Sequence, residues 1–249
     1  MDEIILKNNY FYKTIKRKLF YQYRSIMLDF LIKNLIFKIM KSNKITNLIF
    51  KIKLNSIPVG TYYFDMTTYV LTKLLLKKLS KQSRVLDMGT GACCIIGLTL
   101  WKHLGCKVIS SDINLNILSL AQENINLNHA QIKLIHSNLF QNIKNDFNII
   151  TFNPPYVPTS NGTKNKLSKK FQSQWDGGVD GTLVIEQFLD ELNKLDKLVI
   201  AYVGINYKYV RQEKIFPLIE SKNNLKLNQI HKHRLLPIQI YIIEKKYSS

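Results

Sequence analysis

Residues 84–91 read Arg84-Val85-Leu86-Asp87-Met88-Gly89-Thr90-Gly91. An apolar run that leads into closely spaced glycines is typical of a buried strand that turns tightly into a helix. Glycines let the backbone approach a ligand closely, and the N-terminus of a following helix offers free N–H groups. This stretch therefore predicts the first strand and the ligand-binding turn of an α/β domain.

The chain after this turn alternates short apolar runs with segments of helical period. Such alternation predicts a doubly wound, Rossmann-like α/β sheet with buried parallel strands. The last two strands follow one another without a helix, which predicts an antiparallel C-terminal edge. We predict strands at 84–88, 107–111, 131–136, 147–152, 197–203, 225–232 and 238–244, and helices at 93–104, 114–127, 182–195 and 207–220.

The length of 249 residues suits one good-sized α/β domain with a short extra element. We predict a basic, mostly helical N-terminal extension over 1–55 and a catalytic domain over 56–249. The net charge is +19, and residues 1–55 carry 12 Lys or Arg against 3 Asp or Glu. This charge indicates either attraction to nucleic acid or the Lys-rich and Asn-rich bias of A- and T-rich coding DNA.

The N-terminal extension interleaves aromatic and cationic side chains, among them Tyr10, Phe11, Phe20 and Tyr21. Aromatics among cations are able to stack on bases or bind a partner. The same pattern arises when an amphipathic helix packs its apolar face on the main domain, and we favour this second interpretation. A helix lying on a membrane surface is a third alternative.

Cysteine usage and hydropathy indicate a cytoplasmic protein without a membrane span. Cys93, Cys94 and Cys106 provide neither a disulfide framework nor a zinc-like spacing, so we predict no metal site. The most apolar stretch, 25–40, is too short and too charged to cross a bilayer, since it contains Asp29 and Lys33.

The glycine turn favours S-adenosylmethionine over a dinucleotide. The dinucleotide fingerprint needs a third glycine, and Cys94 stands there. Asp87 would repel a pyrophosphate but suits the positively charged methionine moiety. Asp112 ends the next strand, where a carboxylate is able to accept hydrogen bonds from both ribose hydroxyls. The predicted cofactor-binding residues of this half are Asp87, Gly89, Thr90, Gly91 and Asp112.

A second motif, Asn153-Pro154-Pro155-Tyr156, follows a predicted buried strand. An amide or exocyclic amine nitrogen is a poor nucleophile because its lone pair is delocalised. The Asn153 side-chain oxygen and the Pro154 carbonyl are suited to accept from its N–H groups and free that lone pair. The prolines stiffen the loop, and Tyr156 offers a face for stacking a planar group. These four residues are the predicted catalytic residues.

Together these motifs resemble the protein glutamine N5-methyltransferases that modify class I release factors. The resemblance rests on residues 87–91, Asp112, 137–140 and 153–157, and on a later Gly-Gly-x-Asp-Gly segment at Gly177–Gly181. It implies a seven-stranded class I methyltransferase fold in which Asn153 and Tyr156 grip the target glutamine.

The resemblance also implies the rest of the cofactor site. Asp112, its neighbour Ile113 and the turn at Asn138 and Leu139 are expected to hold ribose and adenine. Asn153 would reach the cofactor as well. The segment 58–68 takes the place of the family's loop over the cofactor, where Thr68 (or Thr67) is expected to cap the site.

Several features depart from the family pattern. Asn138 stands where the family usually has Asp, although Asn is still able to accept from the adenine amino group. The extension 1–55 is shorter than the N-terminal helical domain of bacterial members. The short archaeal and eukaryotic branch works with a small zinc-binding activator protein, so an activator subunit is a candidate partner here.

Two alternatives remain open from the sequence. The Asn-Pro-Pro-Tyr motif is shared with enzymes that methylate adenine N6 in DNA or RNA, and the basic front end suits such a substrate. A non-catalytic binding module that keeps the fold is disfavoured by the joint presence of Asp87, Asp112 and Asn153.

Overall fold

The computed structural model describes residues 34–57, 62–144 and 146–246. The chain divides into two compact units, Met1–Ser42 and Asn43–Ser249. In the first unit, residues 34–40 are helical. The predicted helices and aromatic residues over 1–33 lie outside the described residues. The boundary that we predicted between residues 55 and 56 falls inside the second unit.

The second unit is built on a seven-stranded sheet, as predicted. The strand order is β3-β2-β1-β4-β5-β7-β6. Its strands are β1 (Arg84–Met88), β2 (Lys107–Asp112), β3 (Ile132–His136), β4 (Ile149–Phe152), β5 (Val199–Asn206), β6 (Leu225–Lys232) and β7 (Ile238–Lys245). Strands β1 to β5 are parallel, and β7 runs antiparallel to both β5 and β6. The antiparallel C-terminal edge is therefore confirmed.

The longer helices cover this sheet and bury apolar side chains, among them Leu71 and Leu75, Ile117 and Ile125, and Phe188 and Leu192. The helices are α1 (Asn43–Phe50), α2 (Met66–Lys78), α3 (Ile95–Leu104), α4 (Leu115–Leu127), α5 (Thr159–Lys164), α6 (Leu183–Lys194) and α7 (Gln212–Glu220), with a 3-10 helix at Lys169–Gln174. Helix α2 packs on α3 and on β5, whereas α4 packs on β2 and β3. None of the helices in the described ranges combines the length and apolar character that crossing a bilayer requires.

Some element boundaries differ from the prediction. Helix α2 and the short helices of the 159–174 region were not predicted. The helix predicted from 207 begins at Gln212, because β5 continues to Asn206 through its pairing with Ile238. The helix predicted from 93 begins at Ile95, because Cys94 adopts a left-handed backbone with φ 45°.

Residues 43–57 belong to the second unit. Phe50, Ile52 and Leu54 are buried. Two asparagines of the α4 end bind this segment: Asn128 Oδ1 accepts from the Lys53 N–H at 2.9 Å, and Asn124 Oδ1 accepts from the Asn55 N–H at 2.8 Å. The part of the predicted extension that lies after Ser42 therefore packs on the sheet domain.

Candidate active site

The sheet topology brings the two predicted motifs together. Strand β1 lies between β2 and β4, so the chain order reverses beside β1, where open α/β sheets bind ligands. Met88 pairs with Phe152, which places Gly89 beside the residue that precedes Asn153. A Cβ on Gly89 would lie 3.1 Å from the Phe152 ring. The glycine turn and the Asn-Pro-Pro-Tyr loop are thus neighbours at the carboxyl ends of parallel strands.

The backbone of the glycine turn is hydrogen-bonded to the end of β2. The Thr90 N–H donates to the Ser111 carbonyl at 2.9 Å, and the Gly91 N–H donates to Asp112 Oδ2 at 3.1 Å. Gly89 and Gly91 have φ of 64° and 66°, a left-handed conformation that favours glycine. A Cβ on Gly91 would meet nothing within 4 Å, so the space next to this residue is open.

Asp87 is buried beneath this turn, with 1 % of its surface exposed. Its Oδ2 accepts from Thr90 Oγ1 at 2.6 Å and from the Gly97 N–H at 3.1 Å. Burial raises the pKa of Asp87 to about 7, the hydrogen bonds partly offset that rise, and the charge of Asp112 adds to it. Asp87 therefore stabilises the turn through its hydrogen bond to Thr90. A positive charge bound near it would lower its pKa again.

Gly97, on α3, is a residue that the sequence analysis missed. A Cβ there would lie 2.7 Å from Ser110 Oγ and 3.2 Å from Asp87 Oδ2. The absent side chain lets α3 approach β1 and β2 closely enough for its backbone N–H to reach Asp87. The sequence did offer one signal for this residue: Gly97 is a glycine in the first turn of the helix that follows the glycine turn.

The predicted ribose and adenine residues lie beside Asp112. Asp112 Oδ1 accepts from the Asn114 N–H at 3.0 Å, and burial raises its pKa. Ile113 is 51 % exposed, which leaves an apolar surface next to that carboxylate. Asn138 is exposed, and Leu139 has φ 45° and is buried. An acceptor, an apolar face and an exposed amide fit a nucleoside.

Asn153 directly follows β4, and its amide group is anchored on one side. Its Nδ2 donates to Asp65 Oδ1 and to Thr68 Oγ1, each at 3.0 Å. Its Oδ1 is buried and has no hydrogen-bond partner among the described residues. Buried acceptors are rarely left unpaired, so this oxygen marks a place where a donor of a bound molecule belongs.

Tyr156 lies deeper than we predicted. It is 6 % exposed, its hydroxyl lies 2.6 Å from Thr67 Oγ1, and it donates to Asp65 Oδ2 at 3.3 Å. Burial, and secondly the charge of Asp65, raise the pKa of Tyr156, so the hydroxyl stays protonated. Its ring centroid lies 6.1 Å from that of Tyr209. A substrate would find little of this ring to stack on, and a stacking role stays a prediction.

The Gly177–Gly181 segment packs against the backbone of the Asn-Pro-Pro-Tyr loop. The Val157 N–H donates to the Trp175 carbonyl at 2.8 Å, and the Gly177 N–H donates to the Val157 carbonyl at 2.9 Å. A Cβ on Gly177 would lie 2.8 Å from the Tyr156 Cα, and one on Gly181 would lie 2.4 Å from the Tyr156 carbonyl oxygen. The glycines thus permit a close approach between two backbones.

Asp65 is the second residue that the sequence analysis missed. It stands before α2 as its N-cap, where Oδ1 accepts from the Thr68 N–H at 2.7 Å. The signal was an Asp directly ahead of an apolar helical period, which is a helix-start pattern. Thr68, predicted as a cofactor residue, accepts from the Asn153 amide through Oγ1 at 3.0 Å, and its role over the cofactor stays a prediction.

The amino-acid sequence is similar to those of known glutamine methyltransferases. The chain is 38% identical over 121 residues to a provisionally named protein N5-glutamine methyltransferase of Methanocaldococcus jannaschii, covering 48% of this chain and 60% of that protein. It is 35% identical over 91 residues to a release factor glutamine methyltransferase of Lactococcus lactis, covering 36% and 34%. The matches thus span less than two thirds of these relatives.

A solved structure and a family match complete the comparison. The E. cuniculi Mtq2–Trm112 complex, described as responsible for methylation of the eRF1 translation termination factor, superposes with a TM-score of 0.52 and 23% identity. The alignment covers 76% of this chain and 100% of that chain, which shows a shared fold. Residues 63–202, more than half of the sequence, match the methyltransferase small domain, and the chain belongs to that family.

Proposed function

We propose that this protein transfers a methyl group from S-adenosylmethionine to the side-chain amide nitrogen of a glutamine in a class I release factor. The observation that carries the proposal is the buried Oδ1 of Asn153, which is without a partner among the described residues. It lies at the end of β4, beside the glycine turn of β1.

The residues around the glycine turn fit the proposed cofactor. Gly91 has open space above it, Ile113 offers an exposed apolar surface, and Asp112 supplies carboxylate oxygens. The carboxylate of Asp87 lies beneath the turn and complements a positively charged methionine moiety. When bound, S-adenosylmethionine supplies an electrophilic methyl group on a positively charged sulfur.

The acceptor side has one chemical task, which is to make an amide nitrogen nucleophilic. Asn153 Oδ1 and the Pro154 carbonyl each accept from one N–H of the target nitrogen, which draws it toward a tetrahedral shape and frees its lone pair. With S-adenosylmethionine bound, the nitrogen would form a bond to the methyl carbon as the S–C bond breaks, and S-adenosylhomocysteine would leave. The methylated nitrogen then loses a proton to solvent, and its high acidity removes the need for a strong general base. Holding the two acceptors in place is the loop's contribution.

The choice of substrate rests on the relatives. Both sequence relatives described above carry glutamine methyltransferase names. One observation favours a second candidate, an adenine N6 amine in RNA or DNA. The net charge of +19, with 12 Lys or Arg against 3 Asp or Glu in residues 1–55, favours attraction to phosphates. An adenine amine presents the same two N–H groups to Asn153.

A small activator subunit is a further proposed partner, since the E. cuniculi structure is a complex with Trm112. We place the reaction in the cytoplasm, because Cys93, Cys94 and Cys106 are free and reduced thiols persist there.

The test is methyl transfer from labelled S-adenosylmethionine, offered to a release factor and to bulk RNA in parallel. Each assay is run with and without a Trm112-type subunit. Label on the release factor that disappears when its target glutamine is changed to alanine supports the proposal. Label on RNA, with binding that weakens steeply as salt rises, supports the adenine candidate instead. No label on either contradicts both.

A further inference from the structure

Asp65 joins two residues of the Asn-Pro-Pro-Tyr loop to the start of α2. Its Oδ1 accepts from the Asn153 amide at 3.0 Å and from the Thr68 N–H at 2.7 Å, while Oδ2 accepts from Tyr156 at 3.3 Å. It stands 88 residues before Asn153 in sequence. These contacts involve both oxygens of the carboxylate.

We propose that Asp65 is a positioning residue, which sets the orientation of the Asn153 amide so that its oxygen faces the methyl acceptor. This inference rests on the proposed function, because it assigns Asn153 Oδ1 to the acceptor nitrogen. Asp65 acts through Asn153 and does not itself contact the substrate.

The argument begins with donors and acceptors. A carboxylate only accepts hydrogen bonds, whereas a primary amide has a donating end and an accepting end. The end of Asn153 that faces Asp65 must therefore be Nδ2. Turning the amide by 180° would set two oxygens against each other and remove the bond to Asp65.

The second step concerns the two hydrogens of Nδ2. One is directed to Asp65 and the other to Thr68 Oγ1, so both donors are satisfied within the protein. Oδ1 then points away as a buried acceptor, which is without a partner among the described residues. A flipped amide would present N–H groups to the substrate nitrogen, where they could not accept its hydrogens.

The third step concerns how Asp65 itself is held. As the N-cap of α2 it accepts from the Thr68 backbone, and Tyr156 holds its other oxygen. Thr67 binds the Tyr156 hydroxyl at 2.6 Å, which completes the connection between helix and loop. Pre-organised acceptors of this kind cost no reorganisation when the reaction occurs.

The decisive variant is Asp65→Ser. Serine is an equally good N-cap, so α2 keeps its capped start, but the shorter side chain cannot reach Asn153 or Tyr156. We expect kcat to fall by about 10²-fold, as for a misplaced catalytic group, with the Kd for S-adenosylmethionine unchanged within about twofold. Asp65→Asn retains an accepting oxygen and should restore most of kcat. Asp146→Ser is the matched control, since Asp146 is exposed and pairs with Arg84 rather than with this loop.

A second readout is independent of turnover. In full-length protein labelled with ¹⁵N at asparagine, the Asn153 amide hydrogens should exchange slowly with water, and Asn153→Ala identifies their signals. Asp65→Ser should speed this exchange, whereas Asp146→Ser should not. Unchanged exchange, unchanged kcat, or equal loss of kcat in Asp65→Asn and Asp65→Ser would each overturn the proposal. If the wild-type protein methylates no acceptor, the proposed function fails, and the exchange measurement still decides whether Asp65 holds the Asn153 amide.

Discussion

The close approach of Gly181 to the active-site loop leads to a quantitative prediction for Gly181→Ala. Gly181 has φ 87°, and a Cβ there would lie 2.4 Å from the Tyr156 carbonyl oxygen and 2.7 Å from Val210 Cγ2. The substitution therefore adds backbone strain and a collision with backbone. Gly91→Ala is a matched control, because Gly91 has φ 66° but open space where the Cβ would be.

The two contributions can be estimated separately. Left-handed strain costs roughly 1–2 kcal/mol for a non-glycine residue, and this applies to both variants. Forcing an extra methyl into packed surroundings adds roughly 1–3 kcal/mol, and this applies to Gly181 alone. In a domain of this size each kcal/mol lowers the melting temperature by about 2–4 °C. We expect a loss of roughly 2–8 °C for Gly91→Ala and roughly 4–20 °C for Gly181→Ala.

Thermal unfolding followed by circular dichroism measures the stability difference, and calorimetry measures cofactor affinity. Because Gly181 touches the Tyr156 backbone, its variant should lower kcat more than it weakens S-adenosylmethionine binding. Gly91→Ala should do the reverse, since its Cβ enters the space above the turn. If Gly181→Ala melts no lower than Gly91→Ala, the two backbones are free to separate, and the supporting role of the Gly177–Gly181 segment is refuted.

Three further predictions concern the site itself. Asn153→Ala should lower kcat by about 10²–10³-fold with an unchanged Kd for S-adenosylmethionine; equal loss of both would contradict its assigned role. Asp112→Ala should weaken cofactor binding by about tenfold or more, and calorimetry showing an unchanged Kd would refute that contact. Because burial raises the pKa of Asp87 to about 7, a cationic ligand that favours the carboxylate should bind up to about tenfold more tightly at pH 8 than at pH 6. Asp87→Asn removes the titrating carboxyl but leaves the ligand's own titration unchanged. If this variant shows the same pH dependence of binding as the wild-type protein, Asp87 is not the group responsible.

Much of the fold was predictable because its signals are local. Strands β1 and β4 are short, mostly apolar runs, and each leads directly into its motif, so Gly89 and Asn153 were assigned to strand ends from neighbouring residues alone. The antiparallel β6 and β7 were predictable because no helical segment separates them. The binding and catalytic motifs were predictable for the same reason. The backbone shape of a glycine turn and the hydrogen-bond acceptors of an Asn-Pro-Pro-Tyr loop depend little on distant residues.

Residues whose importance comes from distant partners were missed. Asp65 looks like an ordinary helix cap, and its contact with Asn153 spans 88 residues. In the sequence, Gly97 is only a glycine that disfavours helix. In the structure, its missing side chain lets α3 lie close to Ser110 and Asp87. Tyr156 was among the predicted catalytic residues, but the contacts of its hydroxyl with Thr67 and Asp65 were not predictable, because both partners lie far away in the sequence.

The amino-acid sequence by itself determined the alternation of strands and helices and the two motifs at strand ends, because periodicity and side-chain chemistry act over a few residues. Only the tertiary structure decided which groups face one another. The strand order places β4 beside β1, and helix α2 begins where Asp65 and Thr68 reach the Asn153 amide. That arrangement depends on the packing of the whole sheet and its helices, and no local pattern of residues encodes it.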